Sequence, residues 1–386
     1  MSDGSKHEKK DLKAPEISPS GKKKRYIILS VILAVVVLLV GLGVYFVKDY
    51  FSYNYNEITE EPEQLGFEEV KDERIINIAL FGLDTRSPDS FDGRSDAIMI
   101  LSINAGTSEI KLISVMRDSL VPIEKNGNTS YNKINSAYAS GGPELAIKTL
   151  NTIFDLDISE YVSVNFFKLA DIIDLVGGIE ATLTDSEIYY VNASVGEICG
   201  VLGLNVEEYK VSSSGTQHLN GIQATAYARI RYTANIEGTT NDYGRTDRQR
   251  YVMEQLLNKV MAMEKTQYIK LIKPILSSCE TSLTYGEVFD VAVNVLASKP
   301  TFEDARVPQQ DFLMPSPNAG VGSVVYYDLN FAAKLIHAFI YEDISPESFI
   351  ETNGIEKYDW YSGGFTPPSI DDETEKSSTD NGTAEE

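Results

Sequence analysis

The sequence predicts an α/β (α+β) protein, with a mixed, partly antiparallel central sheet flanked by helices, behind one N-terminal transmembrane helix. Three observations carry this reading. Residues 26–47, "YIILSVILAVVVLLVGLGVYFV", run for 22 positions without a charge, enough to cross a bilayer as a helix. From residue 75, apolar runs of strand length follow one another with hairpin signals between them. Stretches with the 3.6-residue apolar spacing of helices are interleaved with those runs. Strands, hairpins and helices mixed in this way favour a sheet that is not purely parallel.

The elements follow in order. "KKKR" at 22–25 stands directly before the apolar run. The positive-inside rule therefore leaves residues 1–25 as a cytoplasmic tail and everything from 48 onward outside. A cleaved signal peptide is the rival reading, with "GLG" at 41–43 as the cleavage site. The apolar run exceeds the roughly 7–15 residues a signal peptide uses, so an uncleaved anchor is preferred. The expected location is the cell membrane, crossed once, with the body extracytoplasmic. Residues 48–74 are polar and acidic and read as a spacer.

The main domain is expected over 75–262. "RIINIALFGLD" gives a first strand, and "SDAIMILSINAGTSEIKLISVMRDS" two more around the turn "NAGTSE". "GGPELAIKTLNTIF" starts on Gly-Pro and places Leu145, Ala146, Leu150 and Ile153 on one helical face. "EYVSVNFFKLADIIDLVGGIEATL" reads as strand, helix, glycine stop and strand. Residues 184–214 break the periodicity and look like an insertion. "HLNGIQATAYARI" opens a short helix with Asn220 as N-cap. A longer amphipathic helix is expected from Thr246 or Asp247. Residues 263–365 form a C-terminal extension, and 366–386 lack the apolar content to fold, giving a disordered acidic tail.

Composition narrows the function. The chain of 386 residues carries a formal charge of −23. Residues 1–25 hold eight Lys/Arg against four Asp/Glu, so the outer part is more acidic still. Such a surface does not attract nucleic acid, and a DNA-reading regulator is not expected. Two cysteines, Cys199 and Cys279, exclude a disulfide-rich scaffold and a thiolate zinc site. Whether they bridge in an exported domain is not decided by spacing. Three histidines, His7, His218 and His337, make a Ser-His-Asp triad or a histidine metal site hard to build. No phosphate-binding "GxxxxGK[ST]" loop occurs.

Against that acidity, "YARIRYTANIEGTTNDYGRTDRQR" at 227–250 gathers five arginines. Arg86, Arg94 and Arg117 stand at the ends of predicted strands, where loops can bring them to the same place. Arg229 and Arg231 alternate, and in an extended segment both point one way. Arg245 and Gln249 share a helix face from which Arg248 is rotated. Guanidinium forks grip phosphate oxygens in bidentate fashion, and a helix start adds free N–H groups. A phosphate or pyrophosphate site satisfies all of this. Asp84 and Asp96 lie at facing ends of neighbouring predicted strands, each near an arginine. Hard carboxylate oxygens suit Mg²⁺. The remaining chemistry is phosphoryl transfer driven by charge.

These residues resemble the LytR-CpsA-Psr family of cell-envelope proteins. "FGLDTR", "GRSDAIMILSIN", "LISVMRD", "NKINSAYASGGPELAIKTL", "VNFFKLADIIDLVGGIE", "QHLNGIQATAYARIRY" and "DYGRTDRQR" occur in the family's order over about 75–262. The resemblance implies a Mg²⁺-dependent phosphotransferase of Gram-positive-type envelopes. It would move a glycopolymer (teichoic acid, capsule or a related polysaccharide) from a polyprenyl-pyrophosphate carrier to peptidoglycan. By the same resemblance Asp84 and Asp96 hold the metal, and Arg117 and Asp242 join them as catalytic residues. Arg86, Arg94, Arg229, Arg231, Arg245, Gln249 and Lys133 bind the substrate. Phe166, Ile172, Ile173 and Val176 are candidates to line a channel for the polyprenyl tail.

Two departures from the family pattern stand out. Met116 replaces the proline common before "RD", so a less rigid loop is expected at Arg117. Segment 184–214 is poorly matched. Two other functions remain open on sequence grounds: a non-catalytic sensor of polyprenyl phosphates, and a hydrolase that releases the polymer to water.

Overall fold

The computed structural model describes residues 53–294, 300–309, 312–317 and 319–353. The expected cytoplasmic tail, transmembrane helix and acidic tail lie outside the described residues. Among the described residues, no helix is long and apolar enough to cross a membrane.

In chain order the strands are β1 (Asn54–Tyr55), β2 (Ile75–Asp84), β3 (Arg94–Asn104), β4 (Glu109–Val115), β5 (Leu120–Lys125), β6 (Asn128–Lys133), β7 (Glu160–Asn165), β8 (Ile179–Leu183), β9 (Gly215–Leu219), β10 (Glu280–Thr281) and β11 (Thr301–Val307). The helices are α1 (Asn135–Phe154), α2 (Phe166–Leu175), α3 (Asp185–Leu202), α4 (Gly221–Ala228), α5 (Asn241–Ala262), α6 (Lys265–Ser277), α7 (Tyr285–Asn294), α8 (Leu329–Tyr341) and α9 (Pro346–Asn353). Seven strands form one mixed sheet in the order β1-β10-β7-β2-β3-β4-β11. β2, β3 and β4 are antiparallel neighbours, whereas β7 joins β2 in parallel. β5 with β6 and β8 with β9 make two separate hairpin-like pairs.

The two-residue period of β2 decides the layering. Ala79, Phe81 and Leu83 enter a core with Ile100 and Ile113, which α1 and α8 cover with residues such as Ile147 and Phe339. Ile78 turns to the other face, beside Ile103 and Leu283. A second core lies among α2, α3, α4, α5 and β8, and includes Ile173, Val195, Ala226 and Val252. Helix α4 starts as the sequence predicts. Asn220 Oδ1 accepts the Gln223 N–H at 3.0 Å, and Gln223 Oε1 accepts the Asn220 N–H at 3.1 Å, a reciprocal capping box. The strand, helix and glycine stop expected over 160–183 are present as β7, α2 and the Gly177–Gly178 turn before β8.

Several expectations need correction. Residues 184–214 are not a break in the pattern. Val191, Val195, Ile198 and Cys199 bury one face of α3 in the second core, and Thr184 with Glu187 forms its capping box. Helix α5 begins at Asn241 rather than at Thr246, so Arg245 and Gln249 lie inside it and not at its free N–H groups. The boundary at 262 marks no break, because β11 extends the main sheet on β4 and α8 packs into the main core. Residues 53–74 are more than a spacer. β1 pairs with β10, and Leu65 and Phe67 are buried in the main core. Cys199 and Cys279 are both free and buried.

α4 crosses α2 closely enough to require glycine. A Cβ at Gly221 would stand 2.0 Å from the Ala170 carbonyl oxygen. Overpacking of this kind costs about 1–3 kcal/mol. Gly221→Ala is expected to lower unfolding stability by about that amount in urea titrations, and wild-type stability would show that the two helices can separate freely.

Candidate functional site

The site forms where β2 ends and β3 begins. Asp84 pairs with Arg94 across this end, and the register then shifts: Leu83 faces Ser95 whereas Gly82 faces Ala97. Asp96 is thus the extra residue of a β-bulge, a device that re-aims a side chain and is frequent beside active sites. Its carboxylate is buried, whereas Asp84 is exposed. Arg117 stands two residues beyond the end of β4. Met116, expected to loosen this loop, is fully buried. Its N–H donates to Val307 O at 3.0 Å, and its carbonyl accepts the Ser119 N–H at 3.0 Å. The loop is fixed by packing and backbone bonds in place of a proline ring.

Three guanidiniums converge on Asp96. Arg117 Nη1 donates to Asp96 Oδ2, Arg231 Nη2 lies 3.5 Å from the same oxygen, and Arg245 Nη1 lies 3.8 Å from it. Asn135 Nδ2 donates to the other oxygen at 3.3 Å. Asp242 sits beneath the same arginines, 2.7 Å from Arg245, 3.6 Å from Arg117 and 3.9 Å from Arg231. Burial lowers Arg245 to about 10; Asp242 opposes this, and the like charges of Arg117 and Arg231 reinforce it. The Nε of Arg245 is buried without a hydrogen-bond acceptor among the described residues, whereas that of Arg117 lies 3.5 Å from Asp118 Oδ2. A buried cationic donor without an acceptor suits an anionic one.

Two neighbouring cavities, about 240 and 350 Å³, share Asp84, Asp96 and Arg231. Arg229, Arg245 and Gln249 line the first, and Arg94, Arg117 and Lys133 the second. Together the walls carry six cationic side chains against four carboxylates, a local surplus of positive charge. Arg229 stacks 4.7 Å over the Phe166 ring and pairs with Glu197 at 3.3 Å. It caps α4 and is not part of the extended segment expected there, yet it shares a cavity with Arg231. Lys133 pairs with Asp118 at 2.9 Å, and Asp118 also lies 3.5 Å from Arg117.

Some expected residues fall elsewhere. Arg86 is exposed on the β2–β3 loop, lines neither cavity, and has no ion-pair partner among the described residues. Of the channel candidates, Ile173 and Val176 are packed into the second core, whereas Phe166 does face the site. Asn135 and Asp118 escaped the sequence reading, although "VMRD" and "NKIN" contain them. So did the partner of Arg248. Arg248 and Glu187 are both wholly buried, 2.7 Å apart. Arg248 also donates to the carbonyls of Ile230 at 3.2 Å and Thr233 at 3.0 Å. One guanidinium therefore ties the loop that carries Arg231 to the start of α3.

Asp84 and Asp96 are the two carboxylates common to both cavities. The Asp84 side chain has no hydrogen-bond or ion-pair partner among the described residues, whereas both Asp96 oxygens are engaged, by Arg117 and Arg231 on one and Asn135 on the other, and no group of three or more His, Cys, Asp or Glu side chains there could hold a metal. Two carboxylates with water and phosphate oxygens are the donor set Mg²⁺ accepts. The arrangement defines a class: an α/β protein whose strand ends open into cationic cavities that two carboxylates share.

The chain belongs to the LytR_cpsA_psr family, whose profile matches residues 42–333. Biofilm regulatory protein A of Streptococcus mutans is 30% identical over 276 residues, which cover 68% of this chain and 63% of that protein. Polyisoprenyl-teichoic acid–peptidoglycan teichoic acid transferase TagU of Bacillus cereus is 29% identical over 294 residues, 74% of this chain and 88% of the relative. Among solved structures, protein gbs0355 of Streptococcus agalactiae aligns with a TM-score of 0.56 at 23% identity, over 70% of this chain and 91% of its own. TagT with bound octaprenyl pyrophosphate aligns with a TM-score of 0.51 at 19% identity, over 74% of this chain and 99% of its own. These two structures share the fold.

Arg248→Ala strands the buried Glu187 carboxylate and two carbonyls. A loss of about 3–5 kcal/mol is expected in chemical unfolding. The double change Arg248→Met with Glu187→Leu removes both charges and is expected to recover part of it. A single variant as stable as wild type would show that the pair braces nothing.

Proposed function

We propose that the chain is a membrane-anchored extracytoplasmic phosphotransferase, moving a glycopolymer from a polyprenyl-pyrophosphate carrier to peptidoglycan. The observation that carries this reading is the buried Asp96 carboxylate ringed by Arg117, Arg231 and Arg245 beside the exposed Asp84. Membership of the family, the transferase name of TagU and the lipid bound to TagT support it. The anchor would be the apolar run at 26–47.

In the proposed reaction an acceptor hydroxyl oxygen attacks the phosphorus that bears the polymer. A new P–O bond forms as the bond to the carrier's phosphate oxygen breaks. The carrier leaves as polyprenyl phosphate, and the hydroxyl proton passes to solvent. Little covalent help is needed in such a loose transition state, where positioning and charge do most of the catalysis. Arg117, Arg231 and Arg245 hold the non-bridging oxygens, and Asp242 fixes the angles of all three guanidiniums. Arg94, Lys133 and Gln249 close the cavity walls around the phosphates. Phe166 and Tyr190, beside Arg229, offer rings to the first isoprene units. Mg²⁺ held by Asp84 and Asp96 would neutralise developing charge on the phosphate oxygens.

Arg231→Lys keeps the charge but loses the fork. Transfer of a labelled polyprenyl-pyrophosphate oligosaccharide to peptidoglycan fragments is expected to fall about 10²–10³-fold, the loss typical of one preorganised contact. Asp84→Asn is expected to abolish transfer without lowering the melting temperature, and chelation of divalent cations to do the same to wild type. Wild-type rates in both variants would overturn the reading. Release of the polymer to water, with no labelled peptidoglycan, would make the protein a hydrolase.

A further inference from the structure

The arginine site draws its side chains from two parts of the fold. Asp96 and Arg117 come from the main sheet, whereas Arg231 and Arg245 come from α5 and the loop before it. A guanidinium fork grips only at the right angle and distance, so the spacing between the two sets has to be fixed. Apolar packing does not fix it directly, since no residue of α5 belongs to the main core cluster.

Behind the site, one carboxylate bridges the two parts. Asp247 lies two residues beyond Arg245 on α5, a rotation of about 200°, and lines neither arginine cavity. It accepts from Arg306 Nη1 on β11 at 2.6 Å and from Arg250 Nη2 at 3.0 Å. Asn235, in the loop that carries Arg231, reaches its other oxygen at 3.5 Å. The same asparagine accepts the Glu237 and Thr239 N–H groups at 3.1 and 2.8 Å, which holds the loop in shape. Arg306 also stands 4.6 Å from the centre of the Tyr243 ring, next in sequence to Asp242. Arg250 Nε, 2.8 Å from Asp304, adds a second tie to β11.

On the sheet side the connection is equally short. β11 runs beside β4 with Arg306 opposite Ser114 and Val307 opposite Val115. The Met116 N–H donates to Val307 O, and Arg117 follows Met116. The Arg306 and Asp247 side chains are only 13% and 10% exposed. Burial pushes Arg306 down, the Asp247 carboxylate opposes the fall, and the like charge of Arg250 adds to it. A buried ion pair adds little stability over apolar side chains of similar size. What it adds is direction, which apolar contact lacks.

We propose that the Asp247–Arg306 pair is the clasp of the site: both are positioning residues that set the spacing of Arg231 and Arg245 against Arg117. A strand beyond the segment expected to hold the catalytic domain thus sets the geometry inside it. The kinetic part of the proposal rests on the transferase reading, and the structural part does not.

The test uses the full-length chain in detergent, as Arg306→Met and as Arg306→Met combined with Asp247→Leu. The single variant is expected to lose both activity and stability. The double variant strands no charge, since Arg250 keeps Asp304 as its partner, and is expected to melt at or above the wild-type temperature. Its kcat for transfer is nonetheless expected to fall about 10²-fold, the effect of a displacement near 1 Å, while the KM for the lipid donor changes less than about threefold. Amide hydrogen exchange is expected to quicken about tenfold in 231–240 and in the first turns of α5, but not in α8. Wild-type kcat or wild-type exchange in the double variant would overturn the clasp. So would a loss of kcat matched by a fall in melting temperature, the mark of a purely structural pair. If exchange quickens in the double variant while wild type transfers nothing, the clasp stands and the transferase reading falls.

Discussion

The grip of three guanidiniums on the Asp96 carboxylate is the interaction on which the rest of the site depends. A buried carboxylate is costly unless paired, and three converging arginines repel one another. Each problem offsets the other: Asp96 lets Arg117, Arg231 and Arg245 approach, and they give the buried carboxylate its partners. Asp242 adds a second anion below the same three side chains. The balance is incomplete, because burial and the other two arginines together pull Arg245 down to about 10. A phosphate oxygen entering the cavity would relieve that imbalance at the moment charge builds on it. Charge arranged in advance costs no reorganisation during reaction.

Holding that arrangement falls to features some distance from it. The bulge at Asp96 aims the carboxylate, and full burial of Met116 fixes the turn at Arg117. The Arg248–Glu187 pair anchors the loop of Arg231 to α3, with all three guanidinium nitrogens engaged. Arg245 is supplied by α5, which belongs to the second core, whereas Asp96 and Arg117 belong to the sheet. The site is therefore a seam between two separately packed cores, and its geometry is only as rigid as their contact.

What the sequence revealed follows from how local each signal is. The strands ending at Asp84 and starting near Arg94, the helix opening on Asn220 and the stop at Gly177–Gly178 rest on neighbours within a few residues, and all were legible. The bulge was not, because it is a mismatch between two strands and no single strand encodes it. α3 was hidden because Tyr189, Val201 and Leu202 put apolar side chains on its solvent side, blurring a period that Val191, Val195 and Ile198 obey. Gly196 and Gly200 weakened the helical propensity further. The pairing of β11 with β4 spans some 190 residues, and the Glu187–Arg248 pair joins two helices. Neither leaves a local mark. Arg86 shows the converse case: an arginine beside "LD" in the chain that is exposed and lines neither cavity.

The distribution of charge explains why so acidic a chain concentrates its arginines. With a formal charge of −23, the protein repels polyanions at long range, but salt screens exposed charges beyond about 8–10 Å. Within that distance the local surplus at Arg94, Arg117, Arg229 and Arg231 dominates. An anion is thus favoured at the arginine cavities over the acidic remainder of the chain. Lysine would supply the charge without the fork, and its stronger hydration would compete with phosphate. Arginine at the seam and carboxylate around it are two halves of one selection: the surrounding acidity makes the arginine cavity specific, and the arginine cavity makes the acidity compatible with binding an anion.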